Sequence, residues 1–69
     1  MSADARIWHD PAAKEWRGNH DFPDSDVSGT LTEVIARLDE INGSPMYWSM
    51  DAREEWGAFA RLEGWVYPR

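Results

Sequence analysis

Five tryptophans in a chain of 69 residues that has no cysteine are the feature that most constrains the fold. A domain of this size buries only about 60% of the surface of its unfolded chain, so a small aliphatic core stabilises it marginally. Below roughly 70–80 residues such domains usually need a disulfide, a metal ion, oligomerisation or dense apolar packing. The lack of cysteine excludes disulfides and thiolate zinc sites. Since one tryptophan can bury on the order of 200 Å², we expect aromatic packing to stabilise the domain. Self-association is a second source of stability that the composition leaves open.

The charge balance limits the kinds of partner. The chain has 13 acidic and 7 basic residues, a formal net charge of −6. Lysine and arginine dominate affinity for nucleic acids and for anionic membranes, so we expect no direct binding to either. No apolar run is long enough for a transmembrane helix, and residues 1–8 lack the charged-then-apolar pattern of a signal peptide. We therefore predict one acidic domain over residues 1–69, located in the cytoplasm.

The clearest local pattern predicts a helix over residues 31–42. Thr30 opens the tetrapeptide T-L-T-E, which is a capping box with Glu33 as its third helical residue. Apolar residues then recur at helical spacing as far as Ile41. Gly43 directly after the segment is typical of a helix end.

A second helix is predicted over residues 51–63. Asp51 and Glu54 repeat the form of a capping box, and Trp56 and Phe59 lie on one apolar arc. Gly64 would end this helix, and residues 65–69 would leave it as an aromatic tail. The two segments together predict a helical hairpin.

Residues before the hairpin admit two interpretations. Asp10-Pro11 is typical of a helix start, which favours a short helix near residues 11–17. The rival interpretation is a β-hairpin in which residues 6–9 and 14–18 pair around the same Asp-Pro turn. We predict a mainly α domain; the alternative is an α+β domain with a small sheet formed by residues 5–9 and 65–68.

An acidic loop precedes the first helix and partly matches a calcium-binding loop. Asp24, Asp26 and Ser28 supply oxygen atoms at alternate positions, and Gly29 follows. The bidentate carboxylate that such a loop needs at its last position is replaced by Ile35. These three residues are therefore weak candidates for a calcium site, and we expect no cofactor.

No catalytic constellation is evident. The two histidines, His9 and His20, each precede an aspartate, but their spacing fits no compact metal-ligand motif. No nucleophile elbow, phosphate-binding glycine loop or cysteine nucleophile is present. We therefore expect a protein that is not an enzyme.

The remaining features favour a non-catalytic protein-binding module. Carboxylates outnumber cations six to one between His20 and Glu40, and several aromatic residues lie outside the predicted helices. Tryptophan and tyrosine are enriched among the residues that dominate protein interfaces. One specific hypothesis is an inhibitor of the phage or mobile-element type, which docks an acidic face on a basic, nucleic-acid-binding protein. The alternative function is a weakly calcium-binding structural or accessory subunit. The residues predicted to contact the partner are Asp21, Asp24, Asp26, Asp39, Glu40, Tyr47, Trp48, Trp65 and Tyr67.

Overall fold

A computed structural model describes residues 3–50 and 61–66, and for Met50 the backbone alone. The element order is β1 (Ala5–Asp10), β2 (Glu15–His20), β3 (Val27–Gly29), α1 (Leu31–Asn42), β4 (Tyr47–Met50) and β5 (Arg61–Trp65). The strands form one antiparallel sheet in the order β3-β2-β1-β5-β4. Helix α1 packs against β1, β2 and β3. The prediction of a mainly α domain is therefore wrong.

The first correction concerns the helix predicted near residues 11–17. Residues 11–14 form a turn, and Glu15–His20 is strand β2, which pairs with β1. The Asp10 carboxylate accepts hydrogen bonds from the backbone N–H groups of Ala12 (3.1 Å) and Ala13 (3.2 Å). An N-cap aspartate makes the same contacts, so one local signal fits both structures. The β-hairpin that was the rival interpretation is the arrangement observed.

The second correction concerns the helix predicted over residues 51–63. Arg61, Leu62 and Glu63 belong to strand β5, where Leu62 pairs with Ile7 of β1. The rest of the predicted helix, 51–60, lies outside the described residues. Our alternative prediction paired residues 5–9 with residues 65–68 in a small sheet. In the structure, the strand that pairs with β1 on this side is Arg61–Trp65.

Helix α1 has the bounds and the caps that the sequence predicts. Thr30 Oγ1 accepts a hydrogen bond from Glu33 N, and Glu33 Oε1 accepts one from Thr30 N, both at 3.2 Å. Gly43 ends the helix with a φ of 83°, a left-handed conformation that glycine adopts at little cost. Val34 and Leu38 are fully buried on the face that meets the sheet.

The core lies between α1 and the inner face of the sheet. Its buried apolar residues are Ala5, Ile7, Val34, Leu38, Met46 and Leu62. Gly18 of β2 faces α1 and lets the helix approach closely, because a Cβ there would lie 2.8 Å from Val34 Cγ1. Gly64 of β5 accommodates Trp48, whose ring would lie 2.6 Å from a Cβ at that position. Glycine thus occupies inward-facing positions where other side chains supply the apolar volume.

Candidate functional site

One end of the sheet brings together five of the nine predicted contact residues. Asp21 N donates to Asp4 O (3.0 Å), and Asp4 N donates to Gly64 O (2.9 Å). Trp65 follows Gly64 and pairs with Tyr47 of β4. The loop after β2, the start of β1, the end of β5 and the start of β4 therefore lie side by side. They span three strand spacings, roughly 14 Å. We call this region the acidic–aromatic end and define it by Asp4, Asp21, Asp24, Asp26, Tyr47 and Trp65.

A buried serine gives the loop between β2 and β3 its shape. Ser25 is only 4% exposed, and its Oγ accepts a hydrogen bond from His20 N at 3.0 Å. The hydroxyl donates towards the carbonyl oxygens of His20 and Phe22, each 2.6 Å away. Asp24 and Asp26 flank Ser25 and are both exposed. The loop therefore turns the serine inward and leaves the two aspartates at the surface.

His20 connects this loop to the C-terminus of α1. The Asn42 side-chain N–H group donates to the carbonyl and the hydroxyl of Ser44, so Asn42 Oδ1 faces His20 Nε2 at 3.0 Å. The ring stacks on Phe22 with its centroid 4.3 Å away. The last turn of α1 contains no basic residue, so the negative end of the helix dipole adds to the charge of the nearby carboxylates.

Two buried polar atoms at this end lack a hydrogen-bond partner among the described residues. They are His20 Nδ1 and Trp65 Nε1. Strands β2 and β5 both reach the acidic–aromatic end, His20 as the last residue of β2 and Trp65 as the last residue of β5. Buried polar atoms are usually paired, and exceptions often mark functional positions. Both of the buried side-chain polar atoms that lack a partner among the described residues therefore lie at this end of the sheet.

The predicted aromatic residues divide between the two faces of the sheet. Tyr47 and Trp65 lie on the outer face with ring centroids 5.4 Å apart, and Tyr47 is 47% exposed. Trp48 lies on the inner face over Gly64, and its Nε1 donates to Asp39 Oδ1 at 3.1 Å. That carboxylate oxygen also accepts a hydrogen bond from Met46 N at 3.1 Å. The structure thus gives Asp39 and Trp48 a contact that fixes β4 to α1.

The remaining predicted contact residues are Glu40 and Tyr67. Glu40 is exposed on α1 and forms an ion pair with Arg37 at 3.8 Å. Tyr67 is outside the described residues. Asp21, Asp24, Asp26, Tyr47 and Trp65 are the predicted contact residues that the strand order assembles at one end.

The candidate calcium ligands are not assembled in the same way. Ser28 is the middle residue of β3 and pairs with Arg17 of β2, which places a cation beside it. No group of three or more histidine, aspartate or glutamate side chains could hold a metal ion within residues 3–49 and 61–66. His9 packs edge-on against Trp16 near the β1–β2 turn, whereas His20 lies at the opposite end of that hairpin. The two histidines therefore cannot share one ion.

Sequence reasoning missed a shallow depression on the outer face of the sheet. Its volume is about 560 Å³. Trp8 contributes to it, and the pairing of Trp8 with Arg61 and of Arg6 with Glu63 explains why these side chains meet there. The lining residues are Arg6, Trp8, Asn19, Arg61 and Glu63. Period-two alternation in residues 5–10 was the only signal that could have placed Arg6 and Trp8 on one face.

Comparison of the chain with models of protein families, with curated proteins and with solved structures finds no significant match. In the part of the chain that the structure describes, no helix has the length and apolar character needed to cross a membrane.

Proposed function

We propose that the protein is a non-catalytic protein-binding module that binds another protein through its acidic–aromatic end. The observation that carries this proposal is the strand order. It places the exposed carboxylates of the 21–26 loop in line with the Tyr47–Trp65 pair. Neither group is adjacent to the other in sequence, so their meeting is a property of the fold.

The chemistry of this surface suits a partner with basic residues beside an apolar patch. Exposed carboxylates steer such a partner and restrict its orientation. A tyrosine–tryptophan pair supplies a rigid contact area of the kind that dominates interface energies. His20 Nδ1 and Trp65 Nε1, which are buried without a partner among residues 3–50 and 61–66, add support, because such atoms are uncommon in parts of a protein that serve stability alone.

A narrower version of the proposal concerns what the partner does. A basic surface that accepts spaced carboxylates is of the kind that binds nucleic-acid phosphates. An inhibitor that occupies this surface competes with DNA or RNA, and its affinity falls steeply as salt is added. Binding that is insensitive to salt would eliminate the inhibitor version and leave the more general protein-binding module.

The test is co-purification from cells that naturally express the protein, followed by affinity measurements on variants. We expect one stoichiometric protein partner. Asp24→Asn and Asp26→Asn should each weaken binding by up to about fivefold, equivalent to the ~1 kcal/mol upper range for an exposed charge pair. Asparagine also tolerates the left-handed conformation of Asp24, whose φ is 56°.

Glu15→Gln is the matched control, because it removes one carboxylate at the opposite end of β2. Trp65→Ala should weaken binding by more than about thirtyfold, as expected for a residue worth ~2 kcal/mol or more. Melting curves of each variant separate lost binding from lost folding. Equal effects of Asp26→Asn and Glu15→Gln would place the contact surface elsewhere. A rise in melting temperature on adding Ca²⁺ would instead favour the calcium-stabilised subunit.

A further inference from the structure

The two edges of the sheet differ in how they are protected. Strand β3 has only three residues, Asp26 precedes it, and α1 begins directly after it and packs against it. Strand β4 forms the other edge, and among the described elements its only neighbour is β5. The segment from Met46 to Met50 contains no charged residue. Only Pro45, just before it, is of a type that discourages pairing.

An edge strand of this kind is a template for another strand. Within the described residues, no strand pairs with the side of β4 that faces away from β5, so a second strand can form a ladder of hydrogen bonds there. Natural sheets usually block such an edge with lysine, proline, a bulge or a covering segment. The β3 edge has such protection, whereas the described residues of the β4 edge are uncharged and have Pro45 alone as a residue that discourages pairing.

We propose that β4 pairs with β4 of a second copy of this chain, in an antiparallel arrangement about a two-fold axis, so that the two five-stranded sheets become continuous. Side chains that face each other across an antiparallel pair point to the same face of the sheet. A two-fold axis at Trp48 meets this condition, because it places Tyr47 of one copy opposite Ser49 of the other, both on the outer face. The paired segment is then uncharged in both copies.

A second copy suits this edge better than a foreign strand for two reasons. First, the described core contains only six buried apolar side chains, and oligomerisation is a common way to stabilise a domain of this size. Second, pairing about Trp48 is self-complementary, so no outside sequence is needed to match it. The repulsion between two chains of charge −6 is the opposing force. The carboxylates nearest the paired edge are Asp39, which bonds to Trp48, and Glu63, which lies opposite Ser49, and salt at about 0.1 M or above screens their repulsion across the two-fold axis.

The experiment measures molar mass by sedimentation equilibrium from about 1 µM to about 1 mM, the range in which weak dimers dissociate. We expect the mass to rise from 8.0 kDa to twice that value. Ser49→Lys should weaken the dimer at least tenfold, because it places lysine in the middle of the paired edge. Ser28→Lys is the matched control, since Ser28 is the middle residue of the other edge strand and the substitution is identical. Thermal melts of both variants report whether each remains folded.

A second experiment, disulfide cross-linking, tests which residues of the two β4 strands lie opposite each other. The chain has no cysteine, so the double variant Tyr47→Cys/Ser49→Cys should form disulfide-linked dimers on mild oxidation only if these positions face each other. A monomer at every concentration would overturn the proposal, and so would equal weakening by Ser49→Lys and Ser28→Lys. Added salt should strengthen this dimer while weakening the complex with a basic partner. The dimer proposal and the partner-binding proposal can therefore each be refuted without refuting the other.

Discussion

Replacing Gly18 with alanine tests the packing of α1 on the sheet most directly. A Cβ at this position would lie 2.8 Å from Val34 Cγ1 and 2.9 Å from Leu38 Cδ1. Carbon atoms in favourable contact are about 3.5–4.0 Å apart, so the new methyl group overlaps both side chains by more than half an ångström. The Arg6 carbonyl oxygen, 3.0 Å away, prevents the methyl group from moving towards β1.

The expected cost follows from the burial of the neighbours. Val34 and Leu38 have no exposed surface, so neither side chain can swing into solvent to make room. Overpacking of this kind costs about 1–3 kcal/mol. The smaller conformational freedom of alanine in the unfolded chain returns about 0.4–1 kcal/mol. These ranges subtract to a net loss of about 0–2.6 kcal/mol. Because neither neighbour can move aside, we expect about 1–2 kcal/mol, which corresponds to a melting temperature lower by roughly 5–15 °C for a domain of this length.

Thermal and urea melts followed by circular dichroism measure this loss. Val34→Ala provides the internal control, because it removes the Cγ1 atom that the new methyl group would strike. In the double variant, Gly18→Ala should cost at least about 0.5 kcal/mol less than it does alone, as expected for residues in contact. An unchanged or higher melting temperature for Gly18→Ala would refute the close approach of α1 to β2. Strictly additive effects in the double variant would refute the contact with Val34.

Two further predictions concern single side chains. Thr30→Ala should lower the free energy of unfolding by about 1 kcal/mol because it removes the acceptor for Glu33 N; urea melts measure this, and Thr30→Ser should retain most of the stability. The hydrogen bond from Ala13 N–H, followed by the charge of Arg17 and the Ala12 N–H group, lowers the pKa of Asp10 below its ordinary value of 3.8. This lowering stabilises the fold above that ordinary pKa, and the contribution disappears as the pH falls through the lower pKa of the folded state. The free energy of unfolding should therefore fall less between about pH 6 and about pH 2 in Asp10→Asn than in the original protein. An identical pH profile for the two proteins in urea melts would contradict this assignment.

Helix α1 could be predicted because all of its determinants are local. The capping box, the apolar stripe and the terminal glycine lie within fourteen consecutive residues, Thr30 to Gly43. No contact with the sheet is needed to recognise them. The sheet only selects which part of the stripe, Val34 and Leu38, is fully buried.

Strands β1 and β2 were predicted only as the rival hairpin interpretation, and most of β5 was predicted as helix, because glycine conceals the alternation in β2 and β5. In β2 the inward-facing positions hold Trp16, Gly18 and His20, so the expected run of apolar residues at every second position is interrupted. In β5 the inward-facing positions hold Leu62 and Gly64. The missing apolar volume comes from α1 in the first case and from Trp48 in the second. These partners are distant in sequence, and a periodicity search cannot detect them.

The candidate surface was predicted as a set of residues but not as an arrangement. An excess of carboxylates and aromatic residues outside regular helices is visible in the composition. Whether Asp21 lies near Trp65 depends on β1 lying between β2 and β5, which no local pattern reveals. For the same reason, the sequence could not show that the Asp39 side chain bonds to Trp48.

The pleat of β4 and β5 assigns opposite environments to neighbouring aromatic residues. In the observed register Trp48 faces Gly64 and Tyr47 faces Trp65. The inner pair joins a large side chain to the smallest residue, and the outer pair joins two large rings. A slip of one residue would place Trp48 opposite Trp65 or Glu63 and reverse the faces, so burial of Trp48 fixes the outward direction of Tyr47 and Trp65. Polar residues would satisfy those outward positions equally well. The direction of the two rings is thus explained by the fold, whereas their aromatic character is not. The contact with a partner protein that we propose would account for that character.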